Sequence, residues 1–222
     1  MTNDRLVLAI DTSFGPVSAA VADERGVILA HFIADNPPGT QAETLPPRIA
    51  ELFASATLRF VQLSRVAVTV GPGAFTGVRV GLAFAKGLRL ATGAEVLGFS
   101  TLECLAAQAI AADKAATVAS VIDARRGEVY LQVFDASLEP VFDAALFSVL
   151  DAQSVLRKTL LSPALITGSG APLVAVSKEG ARVVTIDRID TRLLARRAVS
   201  ADFLRHPARA AYLRAPDARL PS

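Results

Sequence analysis

Ile10-Asp11-Thr12-Ser13-Phe14-Gly15-Pro16-Val17 reappears as Ile122-Asp123-Ala124-Arg125-Arg126-Gly127-Glu128-Val129, with Ile, Asp, Gly and Val at identical spacing. Each copy follows an apolar run (Leu6 to Ile10; Val118 to Ile122) and precedes an alternating one (Val17 to Val21; Val129 to Val133). Each therefore reads as a strand, a tight glycine-containing turn and a second strand. A third strand is expected in both halves, at Val27 to Ile33 and Pro140 to Val149. Both halves then hold a later strand that runs into Gly-x-Gly ahead of a helix-like stretch: Val66 to Val70 with Gly71-Pro72-Gly73, and Ala164 to Thr167 with Gly168-Ser169-Gly170. Self-similarity on this scale means one supersecondary plan used twice. The expectation is an α/β chain of two β-β-β-α-β-α lobes, residues 1–112 and a smaller 113–222, sharing one tight interface. The second lobe carries a C-terminal helix and a tail free to pack back on the first.

The helices follow from the 3.6-residue period. Between Thr40 and Phe60, Leu45, Ile49, Leu52, Phe53 and Ala56 form an apolar stripe, with Thr40 and Glu43 as a capping box. Pro46 and Pro47 push the expected start toward Thr44. Further helices are expected at Thr76 to Ala91, at Thr101 to Ala112 with Ser100 and Glu103 as capping box, at Ala152 to Leu160, at Pro172 to Lys178 and at Thr191 to Leu204. Strands at Glu95 to Leu97 and Arg182 to Ile186 complete the halves.

Composition bounds the class. In 222 residues, 52% are hydrophobic and 20% charged, enough apolar surface to offset the entropy of ordering the backbone. Asp11 interrupts the first apolar run far short of the ~20 residues that span a bilayer, and the run does not resemble a signal peptide. The single cysteine, Cys104, forms no internal disulfide and belongs to no Cys/His zinc cluster. A cytoplasmic protein without membrane contact is expected. Net charge is only +2, but Arg182 to Ser222 holds nine arginines against four aspartates. That excess reads as a solvated helix and tail, or else as a contact for RNA or an acidic partner.

Two motifs carry candidate chemistry. Asp11 closes a buried-looking strand before the hydroxyls of Thr12 and Ser13, where it either holds a phosphate-bound magnesium ion or hydrogen-bonds the turn backbone. Asp123 stands at the same place in the second half. The segment Gly71-Pro72-Gly73-Ala74-Phe75-Thr76-Gly77-Val78-Arg79-Val80-Gly81 lacks the endings of a P-loop or a dinucleotide fingerprint. Gly77 and Gly81 lie four apart on one helix face. With Gly87, they admit either close internal helix-on-sheet packing or the docking of a second chain. Neither His31 nor His206 has the setting of a catalytic triad, and Cys104 reads as an inert core residue.

Leu8-Ala9-Ile10-Asp11-Thr12-Ser13, the glycine segment from Gly71 to Gly81, Ala85-Lys86-Gly87-Leu88, Asp123-Ala124-Arg125 with Glu128-Val129-Tyr130, and Tyr212-Leu213-Arg214 together resemble the bacterial TsaB (YeaZ) family over nearly the whole chain. The resemblance implies a duplicated actin-like, Hsp70-like and sugar-kinase-like (ASKHA) fold. It also implies a part in forming threonylcarbamoyl on N6 of adenosine 37 of tRNAs that read codons starting with A. In that system the accessory protein pairs with a larger catalytic TsaD-type paralogue, a small TsaE-type ATPase joins the pair, and tRNA is met only through the complex. Where the paralogue carries an Asn-His-x-x-x-His metal stretch, this chain reads Ser100-Thr101-Leu102-Glu103-Cys104-Leu105. Thr101 and Leu105 offer no equivalent donors, so no catalytic residue, metal or cofactor is expected. Where the family's first helix often opens on His-x-Glu, this chain has Gln41-Ala42-Glu43. The implied partner interface is Leu45, Ile49, Phe53, Thr76, Gly77, Val78, Arg79, Gly81 and Leu82, which would make a homodimer in the paralogue's absence. The rival reading is an actin-like ATPase or small-molecule kinase that binds nucleotide through Asp11, Thr12, Ser13, Asp123, Gly168 and Gly170.

Overall fold

Strand β1 (Leu6–Asp11) is buried along its whole length, as a central strand covered on both faces must be. It pairs antiparallel with β2 (Val17–Asp23), which pairs antiparallel with β3 (Ile28–Ala34). On its other side β1 runs parallel to β4 (Leu63–Thr69), and β4 runs parallel to β5 (Glu95–Phe99). The first sheet thus has the order β3-β2-β1-β4-β5. Strands β6 (Thr117–Arg125), β7 (Glu128–Asp135), β8 (Pro140–Ser148), β9 (Ala164–Thr167) and β10 (Ala181–Val184) build a second sheet in the order β10-β9-β6-β7-β8. Read from the other edge, this is the same plan, with β6 in the place of β1. The computed structural model describes residues 5–35, 37, 39–175 and 179–214.

Period-2 alternation divides the core. Leu6, Leu8 and Ile10 face α1 (Gln41–Ser55) and α2 (Phe75–Thr92), packing with Leu45, Ile49, Phe53, Val78 and Leu82. Val7 and Ala9 face the opposite way, into a cluster that includes Leu102 and Leu105 of α3 (Thr101–Ala112) and Val118 and Leu165 of the second sheet. Helix α3 therefore lies between the two sheets. The outer face of the second sheet is covered by α4 (Val149–Thr159) and the single turn α5 (Ala171–Val174).

Helix α6 (Thr191–Ser200), the last among the described residues, packs on the first sheet although its residues fall in the stretch assigned above to the second lobe. Its Leu194, Ala195 and Ala198 join the cluster of Val7 and Ala9. Arg65 of β4 fixes its end, with Nη1 donating to the carbonyls of Ala198 (2.9 Å), Val199 (3.0 Å) and Ala201 (3.0 Å). Those carbonyls lack intrahelical partners, and a guanidinium satisfies them. This explains why the helix stops at Ser200 rather than at Leu204. Beyond it, residues 206–214 form a strap. The Gly98 amide donates to the His206 carbonyl (2.9 Å), Leu97 bridges Pro207, and the Ala211 amide donates to the Val70 carbonyl (2.8 Å). The strap covers the β5 edge and ends on the second sheet, where Arg214 Nη1 donates to the Ala124 carbonyl (2.9 Å) and Nη2 meets Glu128.

Other local expectations shift for identifiable reasons. Pro46 and Pro47 sit inside α1 on its exposed side, where the carbonyls they leave unbonded, those of Ala42 and Glu43, belong to exposed residues. Neither capping box forms: Thr40 Oγ1 donates to the Pro37 carbonyl (2.7 Å), and Glu103 is engaged by Arg197 of α6. The helix expected to run to Lys178 is one turn, and Lys178 itself lies outside the described residues.

Candidate functional site

The turn after β1 is closed rather than open. Asp11 is fully buried, and its Oδ1 accepts from the Ser13 amide (3.0 Å), Ser13 Oγ (2.9 Å) and Thr69 Oγ1 (2.5 Å). Ser13 Oγ also lies 3.0 Å from Thr69 Oγ1 and 3.1 Å from Thr101 Oγ1, so one hydroxyl cluster joins the ends of β1 and β4 to the start of α3. Asp11 Oδ2 is buried without a hydrogen-bond partner. Burial pushes the carboxyl's pKa up, against the lowering effect of Thr69 and Ser13.

The glycine segment explains the closure. A Cβ at Gly73 would lie 2.4 Å from the Ser13 carbonyl oxygen, one at Gly77 1.8 Å from that of Thr12, and one at Gly81 2.6 Å from Thr12 Oγ1. Thr12 Oγ1 donates to the Gly77 carbonyl (2.7 Å), and the Ala74 amide donates to the Ser13 carbonyl (2.8 Å). The glycines are where the start of α2 lies directly on the β1–β2 turn, leaving Thr12 1% and Ser13 3% exposed.

The second half repeats the device on a smaller scale. Cβ atoms at Gly168 and Gly170 would lie 2.3 Å from the Val121 carbonyl oxygen and 2.8 Å from Val121 Cγ1. The Asp123 amide donates to Ser169 Oγ (3.1 Å), and Asp123 Oδ1 accepts from the Arg125 amide (2.8 Å). Both aspartates therefore hold turn backbone. A magnesium-bound phosphate does not fit at Asp11, Thr12 and Ser13, because the start of α2 occupies the approach. Among the described residues, no group of three or more His, Cys, Asp or Glu is arranged to hold a metal ion, and no helix is long and apolar enough to cross a membrane.

The residues expected at a partner interface divide sharply. Leu45, Ile49, Phe53, Val78 and Leu82 lie in the core under α1 and α2, and Gly77 and Gly81 face the Thr12 turn. These seven are corrected to internal positions; the amphipathic face of each helix is spent on its own sheet. Of that set, Thr76 and Arg79 are exposed. The outward faces of the two helices carry instead Ala42, Glu43, Pro46, Pro47, Ala50, Glu51 and Ala54 on α1, and Thr76, Arg79, Ala83, Lys86, Gly87 and Leu90 on α2. Nothing lies within 4 Å of where a Gly87 Cβ would be, and Leu90 is 90% exposed. Gly87 belongs to this outward set, and among the described residues no neighbour requires its smallness.

Two sheets of the same strand order, each with its glycine turn set against the central strand, define a duplicated actin-like fold. The family profile described as "TsaD: tRNA N6-adenosine threonylcarbamoyltransferase" matches residues 40–160, more than half of the chain. The chain is 35% identical to the Escherichia coli tRNA threonylcarbamoyladenosine biosynthesis protein TsaB over 124 residues, 56% of this chain and 52% of that protein. It is 33% identical to the Bacillus subtilis protein of the same name over 128 residues, 58% of this chain and 54% of that one. The match thus spans about half the length of these curated relatives. The solved structure of YeaZ from Pseudomonas aeruginosa superposes with a TM-score of 0.72 at 26% identity, covering 94% of this chain and 100% of that one. The chain belongs to the TsaB/YeaZ family.

Proposed function

We propose that this chain is a non-catalytic partner subunit in the formation of threonylcarbamoyl on N6 of adenosine 37 of tRNA, pairing with a TsaD-type transferase through the outward faces of α1 and α2. The observation that carries the reading is Gly87. A glycine inside a helix costs about 1 kcal/mol relative to alanine, and here no neighbouring group among the described residues requires it. With Ala83, Ala42, Pro46, Ala50 and Ala54 it supplies small exposed positions, between the longer Glu43, Glu51 and Arg79, at which a second helix pair can pack closely. Relatives named for this biosynthesis supply the pathway. In the same reading the face forms a homodimer when the paralogue is absent, a TsaE-type ATPase joins the assembled pair, and tRNA is bound through the complex in the cytoplasm. The burial of Asp11, Thr12 and Ser13 under α2 weighs against the ATPase or kinase reading.

Co-expression with the TsaD-type paralogue of the same genome, followed by size-exclusion chromatography, tests the pairing. The wild type is expected to co-elute at near-equal amounts, whereas a folded Ala50→Arg/Gly87→Arg variant elutes alone. Normal co-elution of that variant overturns the assigned face. Tight ATP binding by the isolated chain, lost in Asp11→Ala, would favour the enzyme instead.

A further inference from the structure

At the N-terminal end of this outward face, two side chains one turn apart on α2 and a third from the C-terminal strap are locked together. The Arg79 guanidinium carbon lies 3.8 Å from the Phe75 ring centroid, and Arg79 Nε donates to the Tyr212 hydroxyl (3.2 Å). The Phe75 and Tyr212 rings are 5.2 Å apart between centroids. Both aromatics remain nearly half exposed, Phe75 at 44% and Tyr212 at 47%, so the cluster is not part of the core. Tyr212 is held there by the strap, which is pinned just before it by the Ala211–Val70 hydrogen bond and just after it by Arg214 on the second sheet.

We infer that Phe75, Arg79 and Tyr212 form a ready-made anchor for a carboxylate of the docked partner, which makes the strap of residues 206–214 part of that interface. The inference rests on the pairing proposed above and specifies its chemistry. Helix α2 carries Arg79, Lys86 and Arg89, all exposed, and no acidic residue, while the exposed acids of the face, Glu43 and Glu51, lie on α1, so the part of the partner that meets α2 is an acidic helix face. Among the described residues, the bond from Nε leaves the two Nη nitrogens of Arg79 for an incoming ligand, in the fork geometry that matches a carboxylate. Stacking on Phe75 and the bond to Tyr212 fix the guanidinium before the partner arrives, which reduces the rotamer entropy lost on binding. An arginine framed by exposed aromatics is also the composition of interface hot spots. Arg79 is the binding residue, and Tyr212 positions it.

Isothermal titration of the full chain with the TsaD-type paralogue, at a series of salt concentrations, tests the anchor. Arg79→Met is expected to weaken binding about 30-fold and to flatten its salt dependence. Arg79→Lys should keep the salt dependence while losing affinity, because a point charge cannot replace the fork. Tyr212→Phe, which keeps the ring and removes only the hydroxyl, should weaken binding about 3- to 5-fold without lowering the melting temperature. If the wild type binds and both Arg79→Met and Tyr212→Phe stay within about twofold of it, or if Arg79→Met leaves the salt dependence intact, the anchor is wrong while the pairing stands. If the wild type does not bind the paralogue at all, the pairing itself fails.

Discussion

Replacing Gly77 by alanine would put a methyl carbon 1.8 Å from the Thr12 carbonyl oxygen and 2.8 Å from its carbon. Both are backbone atoms in a buried turn, so no side chain can swing aside. The start of α2 must move away from the turn, and that motion stretches the Thr12 Oγ1–Gly77 bond (2.7 Å) and the Ala74–Ser13 bond (2.8 Å). Overpacking of this kind costs about 1–3 kcal/mol, and each lost hydrogen bond about 1 kcal/mol more. The higher helix propensity of alanine returns about 1 kcal/mol. The expected net loss is about 2–4 kcal/mol, a large share of a typical domain stability of about 5–15 kcal/mol. For a chain of this size, that lowers the melting temperature by about 4–16 °C. Thermal and urea melts followed by far-UV circular dichroism measure it. Gly87→Ala is the control: with open space at its Cβ, it should be neutral or slightly stabilising. If Gly77→Ala melts with the wild type, the close approach of α2 to the turn is not as described, and the outward assignment of the pairing face loses its basis.

Arg65→Met removes three charge-assisted bonds to the end of α6 and should cost about 2–3 kcal/mol; hydrogen exchange should rise first at residues 191–201, and uniform exchange across the chain would contradict the capping role. Asp11, whose folded pKa lies above its ordinary value of 3.8, keeps its proton in the folded state where the unfolded chain has lost it, so stability falls as pH rises from about 3.8 through the folded pKa. Asp11→Asn should therefore gain on the wild type as pH rises above about 3.8, and parallel urea-stability curves would refute the raised pKa. Burial chiefly lowers the pKa of His206, which stacks on Phe99 at 4.1 Å between ring centroids. Its folded value lies below the ordinary 6.5, so the stability it contributes is present above pH 6.5 and lost as pH falls toward the folded pKa. Below pH 6.5 the Gly98 amide, which donates to the His206 carbonyl, should exchange faster than intrinsic rates explain, and His206→Phe should abolish the effect.

The repeat around Asp11 and Asp123 made the duplicated plan legible, because a strand, a glycine turn and a second strand are local signals. The direction in which a surface faces is not local. Spacing of four placed Gly77 and Gly81 on one side of α2, but it could not say whether that side met Thr12 or another chain. At 100° per residue, Gly87 lies about 240° round the helix from Gly81, so grouping all three glycines was already strained in the sequence itself. Leu45, Ile49 and Phe53 were drawn into the interface by the same ambiguity: an apolar stripe looks alike whether its own sheet or a partner covers it. Glu103 fitted a capping box four residues wide, yet its partner is Arg197, 94 positions away. The Phe75–Arg79–Tyr212 cluster had one early signal, since Tyr212-Leu213-Arg214 belonged to the resemblance, but only the strap brings Tyr212 to α2.

Because α6 lies across the first sheet, the order of synthesis and the order of assembly conflict. The side of β1 that presents Val7 and Ala9 exists once α3 has been made, but Leu194, Ala195 and Ala198 emerge some 80 residues later, about 4–16 s at ordinary elongation rates. Throughout that interval the nascent first sheet presents an apolar surface only part-covered by α3. The N-terminal half is thus predisposed to wait, unfinished or chaperone-bound, until α6 has emerged from the ribosome, and a ribosome stalled in the second half would leave behind an aggregation-prone fragment rather than a folded lobe.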